Sequence, residues 1–222
     1  ETYDLDIIDR IRLIETVCHA VGSLHNNDVV HADLKPHNIL VPKNTGIRSS
    51  ITQSCTDLRI VDLGISQCLN MDDRTKPQPG QGSPRWWSPE VERGKHPTEK
   101  SDIYSIGRLI ERLVLDKAGT EQKEQFHFLE WIKDNTLQSN PKDRNINANA
   151  IHGLLKVFIY HLDQQQDEKK HMNMSDAIVE WKIKTGVNYP KALNAGDYDY
   201  STANNTNTHL EKYINDVFGF RV

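Results

Sequence analysis

The chain has 222 residues, of which 36% are hydrophobic and 26% charged, and a formal net charge of −4. Such a chain can bury a sizeable core, favours one domain with an appendage over two full domains, and lacks the basic excess of a nucleic-acid binder. No apolar stretch approaches the roughly 20 residues of a membrane-spanning helix, and Cys18, Cys55 and Cys68, odd in number and without metal-ligand spacing, read as reduced thiols.

Ile7, Ile11, Ile14, Cys18, Val21 and Leu24 recur at steps of three and four, which predicts a helix from Asp6 to Asn26 with one apolar stripe. Asn26-Asn27-Asp28 supply turn chemistry before a Val29-Val30 strand. Residues 31–40 read HADLKPHNIL, a polar loop carrying Asp33, Lys35 and Asn38 between two segments expected to be buried, Val29-Val30 and Ile39-Leu40. A carboxylate can take a proton from a hydroxyl, an ammonium can neutralise a transferring phosphoryl group, and an amide oxygen can help to hold a hard cation such as Mg²⁺.

Residues 42–57 are polar and read as an enlarged hairpin loop. Leu58 to Val61 is a short β-prone run that delivers Asp62-Leu63-Gly64, an acid able to meet a metal and a glycine that lets the chain turn. From 65 to 81, Pro77, Pro79 and Gly80, with Gly82 just beyond, argue against regular structure. A helix from Glu99 to Leu115 is apolar on most faces, the pattern of a helix buried on many sides, and two more follow at 121–137 and 147–162. The fold class is therefore mainly α with one or two small β-hairpins. Beyond Leu162, residues 163–174 and 194–208 are too polar to order themselves, and short capped helices are expected at Ser175–Thr185 and from Thr208. The chain divides into 1–162 and a polar C-terminal tail, 163–222.

HADLKPHNIL resembles the catalytic loop of the protein kinase family, whose pattern is His-Arg-Asp-Leu, three variable residues and Asn. Within that family, Lys-Pro after the Leu looks like the Ser/Thr kinases and not the tyrosine kinases. Asp62-Leu63-Gly64 resembles the DFG motif, and Gly82 to Glu90 resembles the end of the activation segment. Lys100 to Gly107 is similar to the start of the central helix, and Asn140 to Arg144 to the loop that supplies the arginine partner of that Glu. The motifs keep the family's order from about residue 6 to 162. The resemblance implies a kinase C-terminal lobe, ATP and Mg²⁺ as cofactors, and Ser/Thr of a protein substrate as acceptor. The Gly-rich loop, strand lysine and partner glutamate have no place here, so the stretch is expected to be a fragment that depends on the missing N-terminal lobe of its parent and is inactive alone. An intracellular, cytoplasmic setting is expected, and a membrane anchor upstream in the parent is compatible with these residues. A catalytically dead binding module and a small-molecule phosphotransferase are the alternatives.

As the resemblance implies, Asp33 is the catalytic acid/base, Lys35 steadies the γ-phosphate, and Asn38 with Asp62 holds Mg²⁺. Leu40 and Val61 help to form the nucleotide pocket. His31 is structural, Asp102 accepts hydrogen bonds from the catalytic-loop backbone, and Glu90 pairs with Arg144. Ser83 touches the catalytic Asp and Lys, while Trp86 and Trp87 wall the substrate groove. Blander readings stand beside these: a turn cap for Asp33, core aliphatics for Leu40 and Val61, a helix-start acid for Asp102, solvated charges for Glu90 and Arg144, and core or interface packing for the tryptophans. Ala32 replaces the arginine that in many kinases grips an activation-loop phosphate, and Leu63 replaces Phe.

Overall fold

The computed structural model describes residues 5–41, 58–63, 66–68, 84–119 and 126–165. Asp6 caps the first helix, its carboxylate accepting from the Asp9 amide at 2.8 Å, and α1 runs Ile7–His25. Ile11, Ile14, Val17, Cys18, Val21 and His25 are buried on its inner face, while Leu24, expected on that stripe, is only half-buried. The helix stops at Asn26, whose amide bonds back to Gly22 O at 2.9 Å. Asp28 then turns the chain at φ 57°, a left-handed conformation that aspartate tolerates better than most residues.

Two short antiparallel pairs follow. β1 (Val29–Val30) pairs with β4 (Gln67–Cys68), and β2 (Ile39–Leu40) pairs with β3 (Arg59–Ile60), with Val30 opposite Gln67 and Ile39 opposite Ile60. Strand β4 corrects the expectation of irregular chain from 65 onward. The prolines and glycines behind that expectation lie further along, and pairing with distant Val29-Val30 supplies hydrogen bonds that local pattern does not reveal. The loop expected at 42–57 lies outside the described residues, but its two flanking strands do pair.

After the four-residue helix α2 (Pro89–Glu92), helix α3 spans Glu99–Leu113. It begins with a capping box, in which the Thr98 side chain accepts the Ser101 amide and the Ser101 hydroxyl accepts the Thr98 amide at 3.1 Å. Residues 101–107 are buried without a break, so α3 is the lobe's axis. It ends two residues earlier than expected, where the chain tightens into a 3₁₀ turn over Leu115–Lys117. Helices α4 (His127–Thr136) and α5 (Ala148–Gln165) complete the fold. α1 packs chiefly on α5, and α3 packs on α4 and α1. Gly107 makes one crossing possible, since a Cβ there would overlap Thr136 Oγ1 of α4. The core joins Ile14, Val21, Ile103, Ile106, Leu129 and Ile151 from these helices. Asp163, on the last turn of α5, pairs with Arg12 at 2.6 Å; the helices expected at 175–185 and from Thr208 lie outside the described residues.

Candidate active site

Asp102, in the first turn of α3, is fully buried and faces the loop after β1. Its Oδ2 accepts the His31 amide at 2.8 Å and its Oδ1 accepts the Ala32 amide at 2.9 Å. These bonds hold Ala32 at φ 71°, a region that costs an L-residue about 1–2 kcal/mol and must be stabilised from outside. The next residue is Asp33, so the carboxylate on α3 sets the backbone from which Asp33 projects.

The His31 ring is buried. Its Nε2 lies 3.2 Å from Val61 O, and its Nδ1 accepts the Asp33 amide at 3.3 Å, two contacts met together by the neutral ring with its proton on Nε2. The Val61 amide in turn donates to Asn38 O at 2.9 Å, and the Ser66 hydroxyl donates to His31 O at 2.9 Å. The 31–38 loop and the 61–66 segment are thus tied together at three points.

Within the loop, Lys35 Nζ lies 2.5 Å from Asp33 Oδ2, and Asn38 Nδ2 donates to Asp33 O at 2.8 Å and, more weakly, to Oδ2 at 3.3 Å. The other oxygen, Asp33 Oδ1, is buried and has no hydrogen-bond partner among the described residues. A buried carboxylate oxygen without a donor is chemically able to accept a proton. Asn38 spends its amide nitrogen inward and keeps Oδ1 as an acceptor. Asp62 is exposed at φ 66°. Among the described residues no group of three His, Cys, Asp or Glu side chains forms a metal cage. An amide oxygen with one carboxylate fits Mg²⁺, which takes oxygen ligands and fills its remaining positions with phosphate and water.

The buried pair expected from Glu90 and Arg144 is present: Arg144 Nη1 and Nη2 donate to the two Glu90 oxygens at 2.6 and 2.8 Å. Arg144 also donates to Gln138 O and Lys100 O, and its guanidinium lies 4.9 Å from the Tyr104 ring centroid. Burial pushes the Glu90 carboxyl up, but the hydrogen bonds from Arg144, from the backbone and from Ser88, together with the Arg144 charge, outweigh it and hold the group below its ordinary value. Trp86 is half-buried, with its carbonyl accepting from Ser105 Oγ at 2.8 Å, and Trp87 is buried. Ser83 lies outside the described residues. Val61 is half-buried. Leu40 is 50% exposed and Leu63 is 53% exposed, so Leu40 is not the buried end of the loop that its apolar side chain suggested. One face of so short a strand points outward. His25 and Ser66 are site neighbours that pattern reasoning missed; a lone histidine at the i+4 position from Val21 on an apolar stripe was the available signal for the first.

The model of the protein kinase domain matches residues 5–185. The chain belongs to the protein kinase family. It is 31% identical over 106 residues to the serine/threonine-protein kinase PrkC of Bacillus subtilis, covering 48% of this chain and 15% of that protein. A Dictyostelium discoideum protein described as a probable myosin light chain kinase is 28% identical over 190 residues, 83% of this chain and 54% of its own length. The human serine/threonine-protein kinase ULK1 is 34% identical over 113 residues, 50% of this chain and 10% of that protein. The matches thus span only a small part of most of these kinases.

Proposed function

We propose that the chain carries the catalytic loop of an ATP-dependent protein Ser/Thr kinase. The observation that carries this reading is the state of Asp33: one carboxylate oxygen is engaged by Lys35 and Asn38, and the other is buried and unpartnered. The hydroxyl oxygen of a substrate Ser or Thr attacks the γ-phosphorus, the bond from that phosphorus to the β,γ-bridging oxygen breaks, and ADP departs with that electron pair. The hydroxyl proton passes to Asp33 Oδ1. Lys35 stays near Asp33 and offsets negative charge on the transferring group. Asn38 and Asp62 would hold Mg²⁺, which would neutralise phosphate charge there. Leu40 and Val61 line the adenine side, and Ser83 with Trp86 positions the acceptor segment.

The exposed Leu40 and Leu63 have, in this reading, the N-terminal lobe of a kinase as their partner. Residues 1–162 form the C-terminal lobe and 163–222 the tail. The free thiols Cys18 and Cys68 suit the reducing cytoplasm. The parent kinase, assayed with γ-labelled ATP and a library of Ser, Thr and Tyr peptides, labels Ser or Thr peptides only when Mg²⁺ is present. No transfer to any acceptor identifies a binding module instead, and transfer to Tyr overturns the Ser/Thr assignment.

A further inference from the structure

His25 is the last residue of α1 and is buried. Its Nε2 lies 2.9 Å from Asp102 Oδ2, the oxygen that also accepts the His31 amide, while Oδ1 accepts the Ala32 amide. A carboxylate is an acceptor only, so the ring must present Nε2–H. We infer that His25 is a positioning residue for phosphoryl transfer: its bond fixes the rotation of the Asp102 carboxylate, which holds Ala32 in its left-handed turn and so aims Asp33.

Three donors, His25 Nε2 and the amides of His31 and Ala32, converge on one carboxylate. Two successive amides reach the two oxygens of Asp102 only if the carboxylate plane is held at one angle. Those amides belong to a backbone that would otherwise relax, because Ala32 at φ 71° has no glycine-like freedom. The Ser66 hydroxyl holds the His31 carbonyl but leaves the two amides untouched. Removing the His25 donor lets the carboxylate turn and drop one amide, and the next residue along the chain is Asp33. The damage then falls on the orientation of a group that acts at the transition state and spares nucleotide binding.

This inference rests on the kinase reading, and its test separates the two. In the parent kinase, His25→Leu lowers kcat by about tenfold or more, leaves KM for ATP within about threefold, and speeds amide exchange at His31 and Ala32 while Val17 and Cys18 stay protected. His25→Gln, which keeps an N–H donor at similar reach, restores both kcat and exchange to within about threefold of wild type. His25→Asn, too short to reach Asp102, behaves like the Leu variant. Wild-type kcat in His25→Asn, or unchanged exchange at His31 and Ala32 in both variants, overturns the inference. If His25→Leu does not fold, the Gln and Asn pair decides alone. Accelerated exchange in a protein that transfers no phosphate even as wild type upholds the tether and removes the kinase reading, and with it the role assigned to His25.

Discussion

Arg144 and Glu90 form a bidentate ion pair sealed inside the lobe, with the guanidinium fully buried and each of its three nitrogens donating to an oxygen. Either charge alone would be stranded. Arg144→Met or Glu90→Leu therefore destabilises by roughly 3–5 kcal/mol, whereas the double replacement loses much less than the sum. Urea unfolding of the four proteins in a double-mutant cycle checks this, and additive losses would show that the two charges are independent.

The same pair makes stability fall in acid. Glu90 has a folded pKa below its ordinary 4.5, so its contribution is complete above 4.5 and is lost as pH drops through the depressed folded value. Wild type should thus lose unfolding free energy more steeply than Glu90→Gln below pH 4.5. Parallel slopes in denaturant titrations across that window would remove Glu90 as the cause.

Gly107 is required by the crossing of α3 and α4. A methyl group there meets Thr136 Oγ1, which already donates to Ile132 O and Lys133 O at 2.9 Å and sits in a fully buried residue. Gly107→Ala is expected to cost about 1–3 kcal/mol through overpacking, despite alanine's better helix propensity. A rise in melting temperature would mean that the helices separate freely.

Ala32 leaves the loop without a guanidinium to grip a phosphate, and the Ser66 hydroxyl is occupied by His31 O. The active kinase should therefore not depend on phosphate in residues 65–81, where Thr75 is the other acceptor. Arg74 and Lys76 flank Thr75 in the sequence, and an ion pair between solvent-exposed groups contributes only about 0–1 kcal/mol. Phosphatase treatment and Thr75→Ala should each leave activity within about tenfold of untreated wild type, a difference of about 1.4 kcal/mol. A larger loss in both would mean that another basic residue has replaced the missing arginine.

Helices α1, α3 and α5 were legible because their apolar residues repeat at the helical period, and the loop from His31 to Leu40 because its polar residues keep a fixed spacing. The pairing of Val29-Val30 with Gln67-Cys68 was not, since two-residue strands carry no period and their partners are distant in the chain. Neither was the left-handed Ala32: alanine has no intrinsic preference for that region, and only the Asp102 carboxylate, brought over on α3, explains it. Beyond its place on the apolar stripe, His25 carries no functional signal in the sequence, because its partner Asp102 stands on another helix. The exposure of Leu40 and Leu63 follows from which way each short segment faces, which residue type does not encode.

The most direct test of the central claim, that Asp33 takes the hydroxyl proton, is the single-turnover rate of Asp33→Asn in the parent kinase, measured beside its affinity for Mg-ATP. Asn keeps the size and the contact surface of Asp33 but removes the accepting charge of Oδ1. The rate should fall by about a hundredfold or more, with nucleotide affinity within about threefold of wild type. An unchanged rate in Asp33→Asn would contradict that claim.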